Sequence, residues 1–342
     1  MNFCSDNVAG ISPEILAALA AANEGAAPSY GADAITERLG RCFAEVFERE
    51  VAVFPLSTGT AANSVALATL VPPWGVVYCH ANAHILGDEC GAPEFYTHGA
   101  RLTGIASDDG KIRADQLAAL LPGNKGNVHG MQPSAVSLTQ ATEAGTVYSP
   151  DEVGAITEVA RTHGLAVHMD GSRFANALLH LGVSPAEMTW KAGVDVLSFG
   201  ATKNGAMAAE ALIFFDEKRA AECAFRRKRG GHLFSKMRFL SAQLEAYLAG
   251  DLWLGNARHA NAMASRLADG LTDLPGITLR YRTQANEVFA ELTEPLIAHL
   301  EASGFQFYRW DGNCIRLVTA FNTKAADVDA FIAAARAFIA AT

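Results

Sequence analysis

The stretch DVLSFGATKNG, residues 195–205, decides how the chain is read. Val196, Leu197 and Phe199 form an apolar run of the kind that fills a sheet buried on both faces. The run ends in Ala201, Thr202, Lys203, Asn204 and Gly205, a turn of small and polar residues around one cation. Two readings of Lys203 stand at this point. Either the lysine has left the sheet and points into water, as most lysines do, or it is an amine at a strand end whose lowered pKa lets it attack a carbonyl as a Schiff-base lysine.

Outward from this strand, further β-like runs appear: VAVFPL from 51, GVVYCH from 75, SAVSLTQ from 134, LAVHMD from 165 and ALIFF from 211. Helical patterns separate them, such as SPDEVGAITEVARTHG at 149–164, which opens on a Ser-Pro-Asp-Glu start and closes on Gly164. Strand, helix and strand in alternation predict an α/β fold with a mainly parallel sheet covered on both faces. After about residue 250 the texture changes to an Ala-rich helix, short strands near 277–281, 286–292 and 314–319, and a closing helix from about 325. The expected division is a large domain over 1–250, including an N-terminal segment 1–25, and a smaller α+β domain over 251–342. No internal repeat or low-complexity linker interrupts the chain.

Composition narrows the function classes. A chain of 342 residues that is 50% hydrophobic can bury a large core. A formal net charge of −9 argues against nucleic acid as a partner, and the basic run RRKR at 226–229 needs a local explanation. The six cysteines fall in no CxxC pair and in no metal-like spacing with histidine, as in a reducing compartment. MNFCSDNVAG has no basic n-region, and ILAALAAAN at 15–23 is too short to span a bilayer. A cytoplasmic protein with no membrane partner is expected.

In open α/β sheets, ligands sit outside the carboxyl ends of the strands, and three strand ends stand out here. In STGTAANSVAL, 57–67, a strand runs through Ser57, Thr58, Gly59 and Thr60 into a helix; the turn is an ordinary helix cap or an anion cradle, and no Lys follows to make it a P-loop. In VHMDGSR, 167–173, Asp170 ends an apolar strand, either as a cap or as a carboxylate holding a proton on a heteroaromatic nitrogen, with Arg173, three residues on, in reach of the same ligand as a further cofactor-binding residue. The third end carries Lys203. An anion cradle, a carboxylate and an amine in this order match the needs of pyridoxal 5′-phosphate (PLP).

With these residues in view the chain resembles the low-specificity L-threonine aldolase family of fold-type I PLP enzymes, whose large domain is aspartate aminotransferase-like. The resemblance rests on SDN at 5–7, YGAD at 30–33, STGTAAN at 57–63, AH at 83–84, HMDGSR at 168–173, SFGATKNG at 198–205 and IRLVT at 315–319. It implies that Lys203 binds PLP covalently, Asp170 pairs with the pyridine nitrogen, Gly59 and Thr60 hold the phosphate, and His84 stacks on the ring. It further implies that Ser5, Arg173 and Arg316 take the substrate carboxylate and that Tyr30 belongs to the substrate site. An arginine fork suits a carboxylate, and Arg316 stands in an otherwise apolar strand, where its other reading is a solvated face.

His84 and His129 are the candidate bases, each with a packing or capping role as the alternative. The stretch RRKRGGHLFSKMRFLSAQ from 226 departs from the glycine- and methionine-rich sequence of many family members, so the choice among Lys228, Arg229 and Lys236 stays open. The expected reaction is cleavage of L-threonine, L-allo-threonine or related L-β-hydroxy-α-amino acids to glycine and an aldehyde. The alternatives are phenylserine cleavage, β-elimination or transamination on the same scaffold. At least a homodimer is expected, with a tetramer of two dimers implied by the resemblance, and Tyr30 and residues 226–229 reaching a neighbour.

Overall fold

A computed structural model describes residues 1–121 and 125–341. Seven strands form the large sheet: β1 (Ala52–Leu56), β2 (Gly75–His80), β3 (Arg101–Ile105), β4 (Gln132–Thr139), β5 (Ala166–Gly171), β6 (Val196–Gly200) and β7 (Glu210–Phe214). Their spatial order is β1-β7-β6-β5-β4-β2-β3. All run parallel except β7, which lies antiparallel to both neighbours. The expected mainly parallel sheet is observed, with one strand, β3, that no apolar run announced.

The apolar runs are continuous because both faces of the sheet are covered. Along β6, Leu197 and Phe199 enter one core, while Val196 faces the helix Gly59–Leu70 with Leu212 and Phe214 of β7. We call α1 Pro13–Ala22, α2 Ala34–Phe47 and α3 Gly59–Leu70. Phe199 packs edge-on against Phe43 of α2 at 5.3 Å and at a tilt against Trp253 at 5.7 Å between ring centroids. Truncation of this fully buried ring, Phe199→Ala, is expected to destabilise the protein by about 3–5 kcal/mol, read as a lower denaturant midpoint.

Local signals behave as their chemistry requires. The helix Pro150–His163 begins at Ser149, which caps Glu152 N–H and is capped in return, and ends at Gly164 in the left-handed region (φ 70°). The Ala-rich helix spans Leu252–Thr272, longer than its apolar pattern, and crosses from the large core to the second one.

The second core lies under an antiparallel sheet of β8 (Thr278–Leu279), β9 (Glu287–Glu291), β10 (Tyr308–Asp311) and β11 (Cys314–Val318), ordered β10-β11-β9-β8. The closing helix is Ala325–Ala341. The N-terminal segment divides between the two cores. Phe3 is buried in the second and exchanges backbone hydrogen bonds with Gln306 and Val318, whereas Ile15 of α1 lies in the first. This path carries residues 4–12 across the junction of the two cores, past the turn of Lys203. No described helix is long and apolar enough to cross a membrane.

Candidate active site

A cleft of about 240 Å³ opens at the carboxyl ends of the strands, lined by Asn7, Ser57–Thr60, Asn63, His84, Glu89, Ser172, Thr202, Lys203 and Glu210. Each lining residue follows from the topology. Ser57 leaves β1, His84 follows β2, Ser172 leaves β5, Thr202 and Lys203 leave β6, and Glu210 begins the reversed β7.

The 57–60 turn is an open helix N-terminus. Thr58 caps α3 by accepting from Ala61 N–H through its side chain and from Ala62 N–H through its carbonyl. The N–H groups of Gly59 and Thr60 have no acceptor within the helix, and both residues line the cleft. They are free to receive an anion.

Asp170 is buried at the end of β5. Its Oδ1 accepts from Ser172 N–H (3.0 Å) and Ser172 Oγ (2.7 Å), and its Oδ2 accepts from Asn63 Nδ2 (2.9 Å). Burial acts to raise its pKa, but the Ser172 hydrogen bonds, the Lys203 charge and Asn63 outweigh it and hold the carboxyl below its usual value. It is therefore an anion at neutral pH. The turn that carries Ser172 lies tight against β6: a Cβ on Gly200 would meet Ser172 O at 2.6 Å. Beside it, His168 bridges Ser137 and Ser198 and is kept neutral, its pKa pushed down to about 4 by burial.

His84 donates through Nδ1 to Glu89 Oε1 (2.8 Å), the oxygen that also accepts from Asn63 Nδ2 (2.9 Å). The Glu89 bond raises the His84 pKa against the effect of burial, while burial raises that of Glu89. Asn63 thus joins the Asp170 and His84–Glu89 clusters.

Lys203 sits in the 3₁₀ turn Thr202–Asn204, on the same cleft wall. The turn packs against the N-terminal turn Asp6–Val8, and Asp6 is held below its usual pKa, against burial, by Arg173 and by Lys203. Arg173 is itself buried and binds Asp6 as a fork, Nε at 2.8 Å and Nη2 at 3.1 Å, with Glu287 at 3.5 Å from Nη1. Arg316 reaches Cys4 O at 3.5 Å and lies over the rings of Tyr308 and Trp310 at 5.1 and 5.2 Å; its Nε is buried without a partner. Ser5 caps the N-terminal turn at Asn7 N–H.

Of the residues singled out from sequence, Gly59, Thr60, His84 and Lys203 line the cleft, and Asp170 lies under it through Asn63 and Ser172. Ser5, Arg173 and Arg316 gather at the N-terminal strap and β11, beside the cleft. Tyr30 lies apart, half-exposed, with Lys228 Nζ 4.6 Å from its ring centroid and its N–H donated to Ser235 O. His129 is exposed, in a loop where its N–H bonds Asn127. Asp6, Asn63, Glu89, Ser172, Thr202 and Glu210 had no assigned role from sequence, although Asp6, Asn63, Ser172 and Thr202 fall inside motifs already noted. A larger open cavity of about 480 Å³ lies elsewhere, near Gly164 and Asp195. Its Arg161 and Lys191 are paired with Glu158 and Glu48, so it offers little free charge.

The chain is similar to known proteins over most of its length. The family described as β-eliminating lyase matches residues 2–295. A low specificity L-threonine aldolase of Pseudomonas aeruginosa is 46% identical over 310 residues, covering 91% of this chain and 89% of that one. Another, from a second Pseudomonas strain, is 42% identical over 340 residues, covering 99% and 98%. Among solved structures, a threonine aldolase of Leishmania major is similar over 99% of both chains, with a TM-score of 0.92 at 28% identity.

Proposed function

The chain belongs to the β-eliminating lyase family and to its low-specificity L-threonine aldolases, and on that premise we propose that it cleaves L-threonine and L-allo-threonine to glycine and acetaldehyde, with related L-β-hydroxy-α-amino acids as further substrates. It is a lyase that works with PLP. The observation that carries the reading is the convergence of the Lys203 amine, the ionised Asp170 and the open N-terminus of α3 on one cleft.

The donor set fits PLP: two unclaimed N–H groups for a phosphate, a buried anion for a ring nitrogen, an amine, and the buried Oδ1 of Asn63 still without a partner. Lys203, Asp170, Gly59, Thr60 and His84 would hold the group. When bound, PLP supplies an aldehyde that condenses with amines and a ring that takes up the electron pair of a breaking Cα–Cβ bond. The remaining work belongs to the chain. Asp170, an anion at neutral pH, would keep a proton on the ring nitrogen of the bound group. Arg316 and Arg173 orient the substrate carboxylate, which selects the bond that stands ready to break. His84, its Nδ1 occupied by Glu89, keeps Nε2 to remove the β-hydroxyl proton.

The test is to supply all four threonine stereoisomers and assay glycine and acetaldehyde. Acetaldehyde and glycine from the L isomers are expected; ammonia and a 2-oxo acid without glycine would replace this reading by β-elimination, which the family's own description keeps as the second candidate. His84→Asn is expected to lower kcat by about 10²-fold or more, and His129→Asn by much less; the reverse order would move the base to His129.

The Glu89 bond sets a pH expectation. Because it raises the His84 pKa, the neutral base is depleted on the acid side, and kcat/KM rises with pH through a midpoint above the usual histidine value. Glu89→Gln should lower that midpoint, and an unmoved midpoint would take His84 out of the base role.

A homodimer at least, and a tetramer of two dimers, is part of the same proposal. Lys203 is the only lysine or arginine lining the cleft among the described residues, so a phosphate gains from cations brought by a neighbour. Phe225 on the basic helix Cys223–Arg229 and Phe95 beside Arg226 and Arg229, 78% and 77% exposed, support an interface there. An active monomer by light scattering would remove this assembly. A cytoplasmic location is supported by six free cysteines.

A further inference from the structure

Glu210 is an acid at the place where the cofactor reading calls for positive charge. It begins β7 opposite Leu56 of β1 on one side and Gly200 of β6 on the other, so its two neighbours lead directly into the 57–60 turn and the Lys203 turn. Alternation sets its direction. Ala211 and Ile213 enter the core on the α2 side, whereas Leu212 and Phe214 pack with Ala61, Ala62 and Val65 of α3. Glu210 therefore points to the α3 face, beneath the open N-terminus of that helix. It is 7% exposed and lines the cleft together with Ser57, Thr58, Gly59 and Thr60.

Its surroundings are sparse in charge. Oε2 accepts from Ala201 N–H at 3.2 Å, and the Thr202 side chain is a second hydrogen-bond partner. The charged groups that act on it most are Lys203 and Asp170, with the Tyr247 phenol behind and the His84–Glu89 pair lining the same cleft; the α3 N-terminus adds hydroxyls and N–H groups but no ionised side chain. Burial pushes the Glu210 pKa up to about 7 against the pull of Thr202 and Lys203, so the free site holds this carboxyl close to half-protonated at neutral pH. A phosphate dianion in the same cleft repels the ionised form and favours the acid.

We propose that Glu210 is a proton-linked binding residue for the phosphate of PLP: as the phosphate enters, the ionised fraction of the carboxyl takes up a proton from solvent, the neutral acid donates its O–H, and that proton is returned when the phosphate leaves. The proposal rests on the cofactor reading above. It makes cofactor retention pH-dependent through a side chain outside the bond-breaking chemistry.

The test is PLP affinity of the full-length protein by equilibrium dialysis between pH 6 and 9, for wild type and Glu210→Gln, with pyridoxal as the ligand lacking phosphate. The ratio of the two proteins' affinities cancels the titrations they share. Wild type should lose affinity relative to Glu210→Gln by about tenfold per pH unit above 7, with no such loss for pyridoxal. A ratio independent of pH, or an equal loss with pyridoxal, overturns the proposal. Titration calorimetry of the wild type in buffers of different ionisation enthalpy gives a readout that survives a misfolded variant. Net proton uptake at pH 8 with PLP and not with pyridoxal supports the assignment, and equal uptake with both overturns it. Absence of PLP binding to the wild type at every pH would instead overturn the cofactor reading itself.

Discussion

Replacing Lys203 with alanine is expected to abolish aldol cleavage and the borohydride-reducible PLP adduct while leaving the protein folded. The turn that carries it does not depend on its side chain. Asn204 Nδ2 donates to Tyr247 Oη (2.7 Å) and Trp253 O (2.8 Å), and Asn204 O accepts from Asn256 Nδ2 (2.9 Å). The amine makes a covalent bond that no neighbouring side chain can supply. Peptide mapping after reduction is the measurement, with the melting temperature as control. A variant that retains a reducible adduct would assign the covalent role to another lysine. Lys191, the next lysine back along the chain, is a poor substitute: its Nζ is 2.6 Å from Glu48 Oε2 and it lines the other cavity.

The second large effect is expected at Asp170→Asn, which should bind PLP and lose about 10²–10³-fold in kcat. An amide has the same shape but no charge, so it cannot hold a proton on a ring nitrogen. The amide also presents an NH₂ either to Ser172 N–H and Oγ or to Asn63 Nδ2, all of which donate to the native carboxylate. Steady-state kinetics at saturating PLP separate this from weaker cofactor binding. Near-normal kcat would reduce Asp170 to a turn-capping residue that holds Ser172. Because the folded-state pKa is lowered, the wild-type carboxylate is charged throughout the neutral range, and its contribution fades only as pH falls through that lowered value.

The sequence by itself determined the strands that are buried on both faces. β1, β2 and β4–β7 each carry an apolar run, and such runs have few other uses in a chain of this composition. It also marked the three strand ends that meet at the cleft, because Asp170 and Lys203 end apolar strands and a Ser-Thr-Gly-Thr turn precedes a helix. β3 and β10 escaped notice for one reason. Each is an edge strand paired on a single side, with exposed residues such as Arg101 and Tyr308, and buries too little to leave a hydrophobic signature.

Only the tertiary structure decided which polar residues share the cleft. No motif or periodicity in the sequence singles out Glu89 or Glu210. Burial of Glu89 depends on Asn63, 26 residues earlier, and that of Glu210 on β1 and β6 closing against it from both sides. Arg173 likewise acquired its fork on Asp6 from a partner 167 residues away. Local pattern reports how a residue meets its own strand or helix. The desolvation and Coulomb energies that set the charge of a buried acid come from groups brought close only by the fold.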